Sequence, residues 1–544
     1  MRPLASTRVF APDCGIAEPA SEAAPARNRV RFLALGIFAV LLMLGARAIQ
    51  LAFSGDPLAL PRAAAIASIP RADIVDRNGV LLATTVRAYA LTATPSRVWN
   101  AEETAGALRN LFPELDRATL VRRLSDASRQ LVFLRRALTP VQREQALALG
   151  LAGIGFEAEN QRVYPQGVLA AHLLGFTDVD LNPLSGVERG LDAEIRAAGE
   201  AGRAVRLSVD VRMQYALETE LDAAARAVGA SGGAAILLDG RSGEVFALAS
   251  WPRFDPNEAG QASENQRRDR VAGDVHELGS TIKPFTVAMA LEQELTATGE
   301  VFDLSRPFDI DGSVIQDHEP ISGLVGLREI LARSSNIGAA RLALRLGGAR
   351  QRGYLERLGL LSPARLQLGH NQAPIAPAAR GRRDVAALGF GYGLAATPAA
   401  LAGAYTVFAN QGARTSPTLM LRAPGEVIER TPVFSAETAR QIVLYLRAAV
   451  ADGTGRAADV PGLAIAGKTG TAEKLGAEAY DESRNFSSFA GVFPANDPRY
   501  VIVLALDDTG AGEAGGAVAA PAVARTLRRI APMLGLNVTP RAGE

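Results

Sequence analysis

A serine and a lysine stand three residues apart at the start of an apolar run. Ser280 and Lys283 lie within segment 276–285, and the apolar run occupies 285–291. Residues at i and i+3 share one helix face, so we expect the Lys283 amine beside the Ser280 hydroxyl. A serine hydroxyl becomes a good nucleophile when a neighbouring base removes its proton. The spacing therefore predicts serine nucleophile chemistry with Lys283 as the base.

The scarcity of lysine supports this prediction. The chain has 58 basic residues, of which Lys283, Lys468 and Lys474 are the only lysines and the other 55 are arginines. Arginine cannot lose its proton in a protein, whereas lysine becomes a base once burial or nearby cations lower its pKa from about 10.4. The positive end of a helix dipole at Ser280 would disfavour the ammonium and stabilise an oxyanion. The lysines are therefore where we expect chemistry.

Two further motifs follow along the chain. Ser-Ser-Asn at 334–336 interrupts two helical patterns, 326–332 and 338–346, and these residue types favour helix caps and breaks. Lys-Thr-Gly-Thr at 468–471 follows an apolar stretch at 463–466. Each motif occurs once, and their order after S-x-x-K is typical of penicillin-binding proteins and class A β-lactamases.

The chain resembles the class B penicillin-binding proteins, which are peptidoglycan D,D-transpeptidases, and within them the cell-division (FtsI-like) type. The resemblance extends from the N-terminal apolar segment nearly to the C-terminus. Leu278 stands where the family usually has Pro, and His276 where it often has Tyr. Four segments outside the motifs also resemble the family: 234–239, 243–250, 488–494 and 515–521.

The resemblance implies a role for each residue of the first two motifs. Ser280 attacks the carbonyl between the two terminal D-Ala residues of a muropeptide stem, and Lys283 takes the serine proton. Ser334 relays a proton toward the departing amine. Asn336 binds an amide of the substrate.

The resemblance also assigns the third motif to substrate binding. Lys468 and Thr469 meet the terminal carboxylate of the stem, Gly470 belongs to the same motif, and the backbone N–H of Thr471 joins that of Ser280 in an oxyanion hole. An amine of a neighbouring stem then attacks the acyl-enzyme and closes a cross-link. β-Lactams are expected to acylate Ser280 as substrate mimics.

The N-terminal part predicts a tail and a membrane anchor. Residues 1–31 are rich in Ala, Pro and Arg, which predicts a cytoplasmic tail. Segment 32–53 carries only Arg47 as a charge and has about the 20 residues that span a bilayer. Small residues flank Arg47 as in a signal-peptide cleavage site, but the long tail favours an uncleaved anchor.

The rest of the chain is divided into two predicted domains. Segment 54–205 is predicted to be a non-catalytic pedestal (dimerisation) domain, with an Asn-Gly hairpin at 78–79 and short polar helices within 101–150. Segments 162–165 and 186–191 resemble family boxes of that domain.

Residues 206–544 form the predicted transpeptidase domain. Its strand and helix patterns indicate an α+β fold, an antiparallel sheet covered by helices. The resemblance implies that this is the penicillin-binding/transpeptidase (serine β-lactamase-like) fold. Strands are predicted at 234–238, 244–250, 488–494 and 500–507. Helices are predicted at 281–294, 327–346, 395–410 and 436–452.

Composition limits the classes of partner and cofactor that we expect. The net charge of +1 gives no indication of a nucleic-acid partner, and Cys14 has no second cysteine with which to form a disulfide. The four histidines lack metal-ligand spacing, so no metal or cofactor is expected. The resemblance implies stem peptides and β-lactams as ligands. It also implies a SEDS-type glycosyltransferase and other divisome membrane proteins as partners, and a single-pass inner-membrane location with a periplasmic catalytic domain.

Four alternatives remain open on the sequence. An elongation-type transpeptidase, a serine β-lactamase or carboxypeptidase, and a catalytically inactive scaffold all share parts of the pattern. In addition, 462–469 matches the P-loop pattern G-x-x-x-x-G-K-[ST]. A P-loop follows a strand and opens a helix, whereas no periodic apolar run follows Thr469 here.

Overall fold

A computed structural model describes residues 23–53, 71–378, 381–475, 480–509 and 515–538. The chain divides into two units, 1–68 and 69–544. In the first unit, the described part is one helix, α1 (Ala23–Phe53). Within the described ranges no helix meets the length and apolarity required for crossing a membrane, and the anchor expected at 32–53 is not confirmed. Most of the predicted tail lies outside the described residues.

The second unit begins with a small sheet built around one long strand. β2 pairs antiparallel with β1, β3 and β4, and β1 pairs in parallel with β5. The Asp76 carboxylate accepts from the Asn78 and Val80 backbone N–H groups at 2.7 and 2.8 Å, which closes the predicted Asn-Gly hairpin. The strands are β1 (Ile74–Val75), β2 (Leu81–Ala93), β3 (Val132–Leu138), β4 (Ile154–Val163) and β5 (Val205–Arg206).

Short helices cover this sheet, as predicted for 101–150. Three of these helices begin at Ala101, Arg117 and Pro140. The side chains of the preceding residues, Asn100, Asp116 and Thr139, accept hydrogen bonds from the first-turn N–H groups, which explains where the helices begin. The strand β3 within this segment was not predicted. The helices are α2 (Ala101–Leu111), α3 (Arg117–Ser125), α4 (Pro140–Ala148), α5 (Ala171–Leu174), α6 (Gly186–Gly190) and α7 (Asp192–Glu200).

A five-stranded antiparallel sheet forms the centre of the C-terminal part. Its order is β16-β17-β18-β6-β7, so the strand that carries Lys468 lies at one edge. The other strands of the C-terminal part form small two-stranded pairs outside this sheet. In chain order, the strands of the C-terminal part are β6 (Gly232–Asp239), β7 (Val245–Trp251), β8 (His276–Glu277), β9 (Val301–Asp303), β10 (Phe308–Ile310), β11 (Ser313–Ile315), β12 (Leu324–Gly326), β13 (Ala395–Ala396), β14 (Ala413–Thr415), β15 (Arg430–Pro432), β16 (Ala466–Leu475), β17 (Tyr480–Phe493) and β18 (Tyr500–Asp507).

Helices pack on both faces of this sheet, which confirms the predicted α+β arrangement. The helix predicted at 327–346 is two helices, because the Ser-Ser-Asn motif breaks it. The helices are α8 (Val211–Ala227), α9 (Glu264–Arg267), α10 (Lys283–Glu292), α11 (Leu327–Ala332), α12 (Asn336–Leu346), α13 (Gly348–Arg357), α14 (Arg382–Phe390), α15 (Pro398–Ala409), α16 (Ala436–Ala451) and α17 (Ala519–Ile530).

The central strands are buried on both faces, and their residues alternate between two cores. In β6, Ile236 and Leu238 belong to one core, whereas Ala235 and Leu237 belong to the other. Successive strand residues point to opposite faces of a sheet, so a strand buried on both sides is apolar throughout. The first core continues into the pedestal through Leu173. The domain boundary predicted at 205/206 therefore stays a prediction.

A buried ion cluster ties the pedestal together. The Glu188 carboxylate accepts from Arg71 Nη2 and from Arg162 Nε, both at 2.6 Å, and all three side chains are at most 1% exposed. Arg71 also pairs with Asp192, and Arg162 Nη1 donates to the Ala72 carbonyl at 2.9 Å. The cluster joins β4, α6 and the segment before β1, which gives the resemblance at 162–165 and 186–191 a structural basis.

Glu188→Gln is expected to destabilise the protein strongly. The substitution leaves the buried Arg162 guanidinium without a counter-charge and Arg71 with Asp192 alone, and breaking a buried pair costs about 3–5 kcal/mol in comparable sites. The matched control is Glu102→Gln, whose pair with Arg117 is more than half exposed, and which should cost about 0–1 kcal/mol. Denaturant unfolding of the three proteins measures both. Equal unfolding midpoints for the two variants would contradict the structural role of the cluster.

Candidate active site

Ser280 lies on a 3-10 turn that leads directly into α10. The turn spans Gly279–Ile282, and α10 begins at Lys283. The predicted helix over 281–294 is therefore shorter than expected and is preceded by a tighter turn. Ser280 is half-buried, whereas the Lys283 side chain is fully buried among the apolar residues of α10. The three-residue spacing thus joins a half-buried hydroxyl on Ser280 to a fully buried amine on Lys283 within one short segment.

Two glycines allow the backbone to pass closely beside Ser280. Gly279 has φ +51°, and a Cβ at this position would lie 2.8 Å from the carbonyl oxygen of Thr471. Gly391 has φ +107°, and a Cβ there would overlap the Gly279 carbonyl. Any other residue would be strained by the positive φ and by these contacts. The glycines therefore bring the backbones of Ser280 and Thr471 together.

The second motif forms the break between α11 and α12. Ser334 has φ +61°, a left-handed conformation that is rare outside glycine. Ser335 caps α12, because its hydroxyl accepts from the Gly338 N–H at 2.9 Å. Asn336 is the first residue of α12. The break thus points Ser334 and Asn336 at α10 from one short segment.

Lys283 joins the two motifs through hydrogen bonds. Its Nζ lies 2.6 Å from the Ser334 carbonyl oxygen, 3.1 Å from Ser334 Oγ and 2.7 Å from Asn336 Oδ1. Ser334 Oγ in turn lies 2.9 Å from Ser280 Oγ. Within the described ranges no hydrogen bond joins Lys283 Nζ to Ser280 Oγ directly. The predicted neighbours are therefore linked through Ser334.

The three partners of the Lys283 amine are oxygen atoms that accept hydrogen bonds from it. Nζ donates to the Ser334 carbonyl, to Ser334 Oγ and to Asn336 Oδ1, and Ser334 Oγ donates in turn to Ser280 Oγ. Burial lowers the pKa of Lys283 well below its usual value, and the neighbouring Lys468 lowers the pKa further, while Asp317 acts in the opposite direction. Burial and the neighbouring lysine therefore favour the uncharged, basic form of the amine.

Lys468 is the second buried lysine and lies on the edge strand β16. Its side chain is fully buried, and burial lowers its pKa to about 7. Nζ donates to Thr454 Oγ1 at 3.3 Å and to the Thr469 carbonyl at 3.2 Å, and Thr469 Oγ1 donates to Thr454 Oγ1 at 2.9 Å. An anionic ligand beside Lys468 would restore its charge, because an opposite charge favours the ammonium.

The remaining residues of the third motif continue along this strand. Gly470 is buried, and a Cβ there would overlap Ser488 Oγ and approach Thr281. Thr471 is half-buried, and its Oγ1 accepts from the Gly515 N–H at 3.1 Å. The edge strand therefore runs beside the 3-10 turn of Ser280, and its outer side has no neighbouring strand among the described residues.

Sequence reasoning missed several residues that contact the site. Thr454 binds both Lys468 and Thr469, the Tyr405 hydroxyl donates to the Thr281 carbonyl at 2.9 Å, and Asp317 contacts the break that carries Ser334. Thr454 and Asp317 lie in loops, and Tyr405 lies in the buried helix α15. All three are outside any recognisable motif. Their only signal is spatial, so a single sequence could not identify them.

The P-loop alternative is wrong. Lys468 and Thr469 lie inside the strand Ala466–Leu475, paired with Ala490 and Phe489 of β17. A P-loop requires its lysine at the N-terminus of a helix, where backbone N–H groups bind phosphate. Among the described residues no group of three or more His, Cys, Asp or Glu side chains is placed to hold a metal ion.

Comparisons with known proteins agree with this site. The model of the penicillin-binding protein transpeptidase domain matches residues 233–528, and that of the penicillin-binding protein dimerisation domain matches residues 67–197. The crystal structure of penicillin-binding protein 3 from Mycobacterium tuberculosis, complexed with aztreonam, is similar with a TM-score of 0.67 at 25% identity. The similarity covers 86% of this chain and 97% of that one.

Curated relatives extend the similarity over most of the chain. "Probable peptidoglycan D,D-transpeptidase FtsI" of Caulobacter vibrioides is 39% identical over 483 residues, which cover 86% of this chain and 82% of that protein. "Peptidoglycan D,D-transpeptidase FtsI" of Escherichia coli is 31% identical, covering 84% of this chain and 82% of that protein. The chain therefore belongs to the penicillin-binding protein family, as a member with both a dimerisation domain and a transpeptidase domain.

Proposed function

We propose that this protein is a peptidoglycan D,D-transpeptidase that forms an acyl-enzyme at Ser280 and is inhibited by β-lactams. The observation that carries the proposal is the hydrogen-bonded chain from Ser280 Oγ through Ser334 Oγ to Lys283 Nζ, with links of 2.9 and 3.1 Å. A buried, uncharged amine at the end of such a chain is a base for the serine proton. Similarity to proteins named peptidoglycan D,D-transpeptidases supplies the substrate class.

Acylation follows from the positions of these groups. Ser280 Oγ attacks the carbonyl carbon between the two D-Ala residues, its proton moves to Ser334 Oγ, and the Ser334 proton moves to Lys283 Nζ. The backbone N–H groups of Ser280 and Thr471 stabilise the oxyanion. Lys283 then returns this proton through Ser334 Oγ to the amine of the departing D-Ala as the C–N bond breaks.

Binding of the donor stem is assigned to the edge strand and the break. Lys468 and Thr469 hold the terminal carboxylate, which raises the pKa of Lys468 and restores its charge. Asn336 binds a stem amide, and Gly470 belongs to the same substrate-binding strand, which packs closely on Ser488 and Thr281 at this position. In the second half-reaction, an amine of a neighbouring stem attacks the acyl carbonyl, Lys283 accepts the amine proton, and this proton passes to Ser280 Oγ as the ester bond breaks.

The similarity to FtsI proteins favours a role in septal wall synthesis during cell division. We further propose that segment 32–53 anchors the protein in the inner membrane with residues 1–31 in the cytoplasm. The support is the charge-free stretch 32–46 and the preceding arginines. The SEDS-type glycosyltransferase and other divisome membrane proteins are the proposed partners. Septal localisation of a fluorescent fusion tests the division role, and a signal along the side wall would contradict it.

Ser280→Ala is expected to abolish covalent labelling by fluorescent penicillin without unfolding the protein. The change removes one half-buried hydroxyl, so little packing is lost, whereas the nucleophile is gone. Labelling is followed on gels, and mass spectrometry locates the adduct. Circular dichroism serves as the fold control. Stoichiometric label on folded Ser280→Ala would show that another residue is the nucleophile.

Lys283→Arg is expected to slow acylation by about 10²–10⁴-fold, the usual contribution of a general base. Arg is always protonated in a protein and cannot accept the serine proton, whereas the buried lysine amine can. Lys468→Arg is the matched comparison and should retain part of the rate, because Arg also binds a carboxylate. The acylation time course with a fluorescent penicillin measures both. A folded Lys283→Arg protein that acylates as fast as Lys468→Arg would refute Lys283 as the base.

A further inference from the structure

Asp317 lies in the loop between β11 and β12, and its carboxylate contacts the break between α11 and α12. Ser335 Oγ donates to Asp317 Oδ2 at 2.7 Å, and the Ile337 backbone N–H donates to Oδ1 at 3.0 Å. The Asn336 side-chain amide donates to the Gln316 carbonyl at 3.0 Å. Two residues of one loop therefore hold three consecutive residues at the start of α12.

The carboxylate is well placed at this helix end. The Ile337 N–H is one of the first-turn donors of α12, which have no partner within the helix. A negative charge at this end is stabilised by the positive end of the helix dipole. Ser335 is fully buried, and its hydroxyl accepts from the Gly338 N–H at 2.9 Å. Its own proton is therefore directed to Asp317, so the capping serine is fixed from both sides.

This arrangement bears on Ser334, the preceding residue. Ser334 has φ +61°, and its carbonyl and hydroxyl oxygens both contact Lys283 Nζ. A non-glycine residue keeps a left-handed conformation only when its surroundings hold it there. Within the break, the Ser335 N–H donates to the Ile330 carbonyl at 2.9 Å. The bonds to Asp317 and the bonds to Lys283 on α10 are support from outside the two helices.

The charge of Asp317 also acts on Lys283. The described charged groups that face the amine are Lys468 on β16 and Asp317. Burial and Lys468 lower the pKa of Lys283, and Asp317 opposes them. Asp317 has no cationic side chain within ion-pair distance in the described part of the chain. Its charge is therefore not cancelled locally.

We propose that Asp317 is a positioning residue for acylation, which holds Ser334 and Asn336 in line with Lys283 through the start of α12 and places a negative charge near the amine. The proposal rests on the proposed function of Ser280 and Lys283. It adds a residue that does not touch the substrate and belongs to none of the three motifs. Asp317 acts through Ser335 and through its charge.

Asp317→Asn separates this role from simple structural support. The substitution keeps the shape and one carbonyl oxygen for Ile337 but removes both the charge and the acceptor for Ser335. The second-order rate constant for acylation by a fluorescent penicillin is expected to fall about 10- to 100-fold, as for a small misplacement of reacting groups. Because a negative charge stabilises an ammonium, its loss should also move the rising limb of the pH–rate profile to lower pH.

Two further variants make the test more specific. Asp309→Asn is the matched control, since Asp309 lies on β10 and, among the described residues, its carboxylate accepts a hydrogen bond from the Gly312 N–H alone, at 3.1 Å. It should acylate like wild type. Ser335→Ala removes the hydroxyl link but keeps the charge, so it should slow acylation without moving the pH profile.

The outcomes distinguish this proposal from the function on which it rests. A wild-type protein that penicillin does not acylate would refute the proposed function. If wild type is acylated and folded Asp317→Asn matches Asp309→Asn in rate, Asp317 does not position the site. A slower rate with an unmoved pH profile would refute the electrostatic part and overturn the proposal as stated. Thermal unfolding checks each fold, and Ser335→Ala tests the same link if Asp317→Asn does not fold.

Discussion

The buried amine of Lys283 is the group on which the rest of the site depends. Its side chain is fully buried, and its Nζ contacts two oxygens of Ser334 and one of Asn336. A buried ammonium is costly, so burial lowers the pKa of Lys283 and favours its uncharged form. The same burial therefore makes the amine a base. The contacts of the amine also connect two segments about 50 residues apart in the chain.

The fold presents these groups on the ends of rigid elements. Ser280 precedes α10, Ser334 lies between α11 and α12, and Lys468 lies on β16 at the edge of the sheet. Each element is buried in a core on at least one side, so the short irregular segments carry the chemistry while the helices and strands fix its position. Close backbone contact at Gly279 brings the turn against the strand.

Local signals predicted much of this arrangement. The three-residue spacing predicted Ser280 and Lys283 as neighbours in one site, although the structure links them through Ser334, and the apolar stretches predicted the main strands of the central sheet. The strand β3 was missed within a segment predicted to be helical, and the short strands β9–β12 were missed because three residues carry little periodicity. The Arg71–Glu188 cluster joins residues 117 positions apart, and Asp317 reaches the break across 18 residues. Such contacts depend on tertiary packing, and no motif marks them.

The protonation state of Lys283 is the most direct test of this account. Because the chain has three lysines, a protein made with lysine labelled with ¹³C at Cε gives three side-chain NMR signals, and Lys283→Arg identifies one. The account predicts that this signal titrates well below the usual lysine pKa, so that the amine is uncharged where acylation is fast. A Lys283 signal that titrates with the ordinary lysine pKa of about 10.4 would contradict the account.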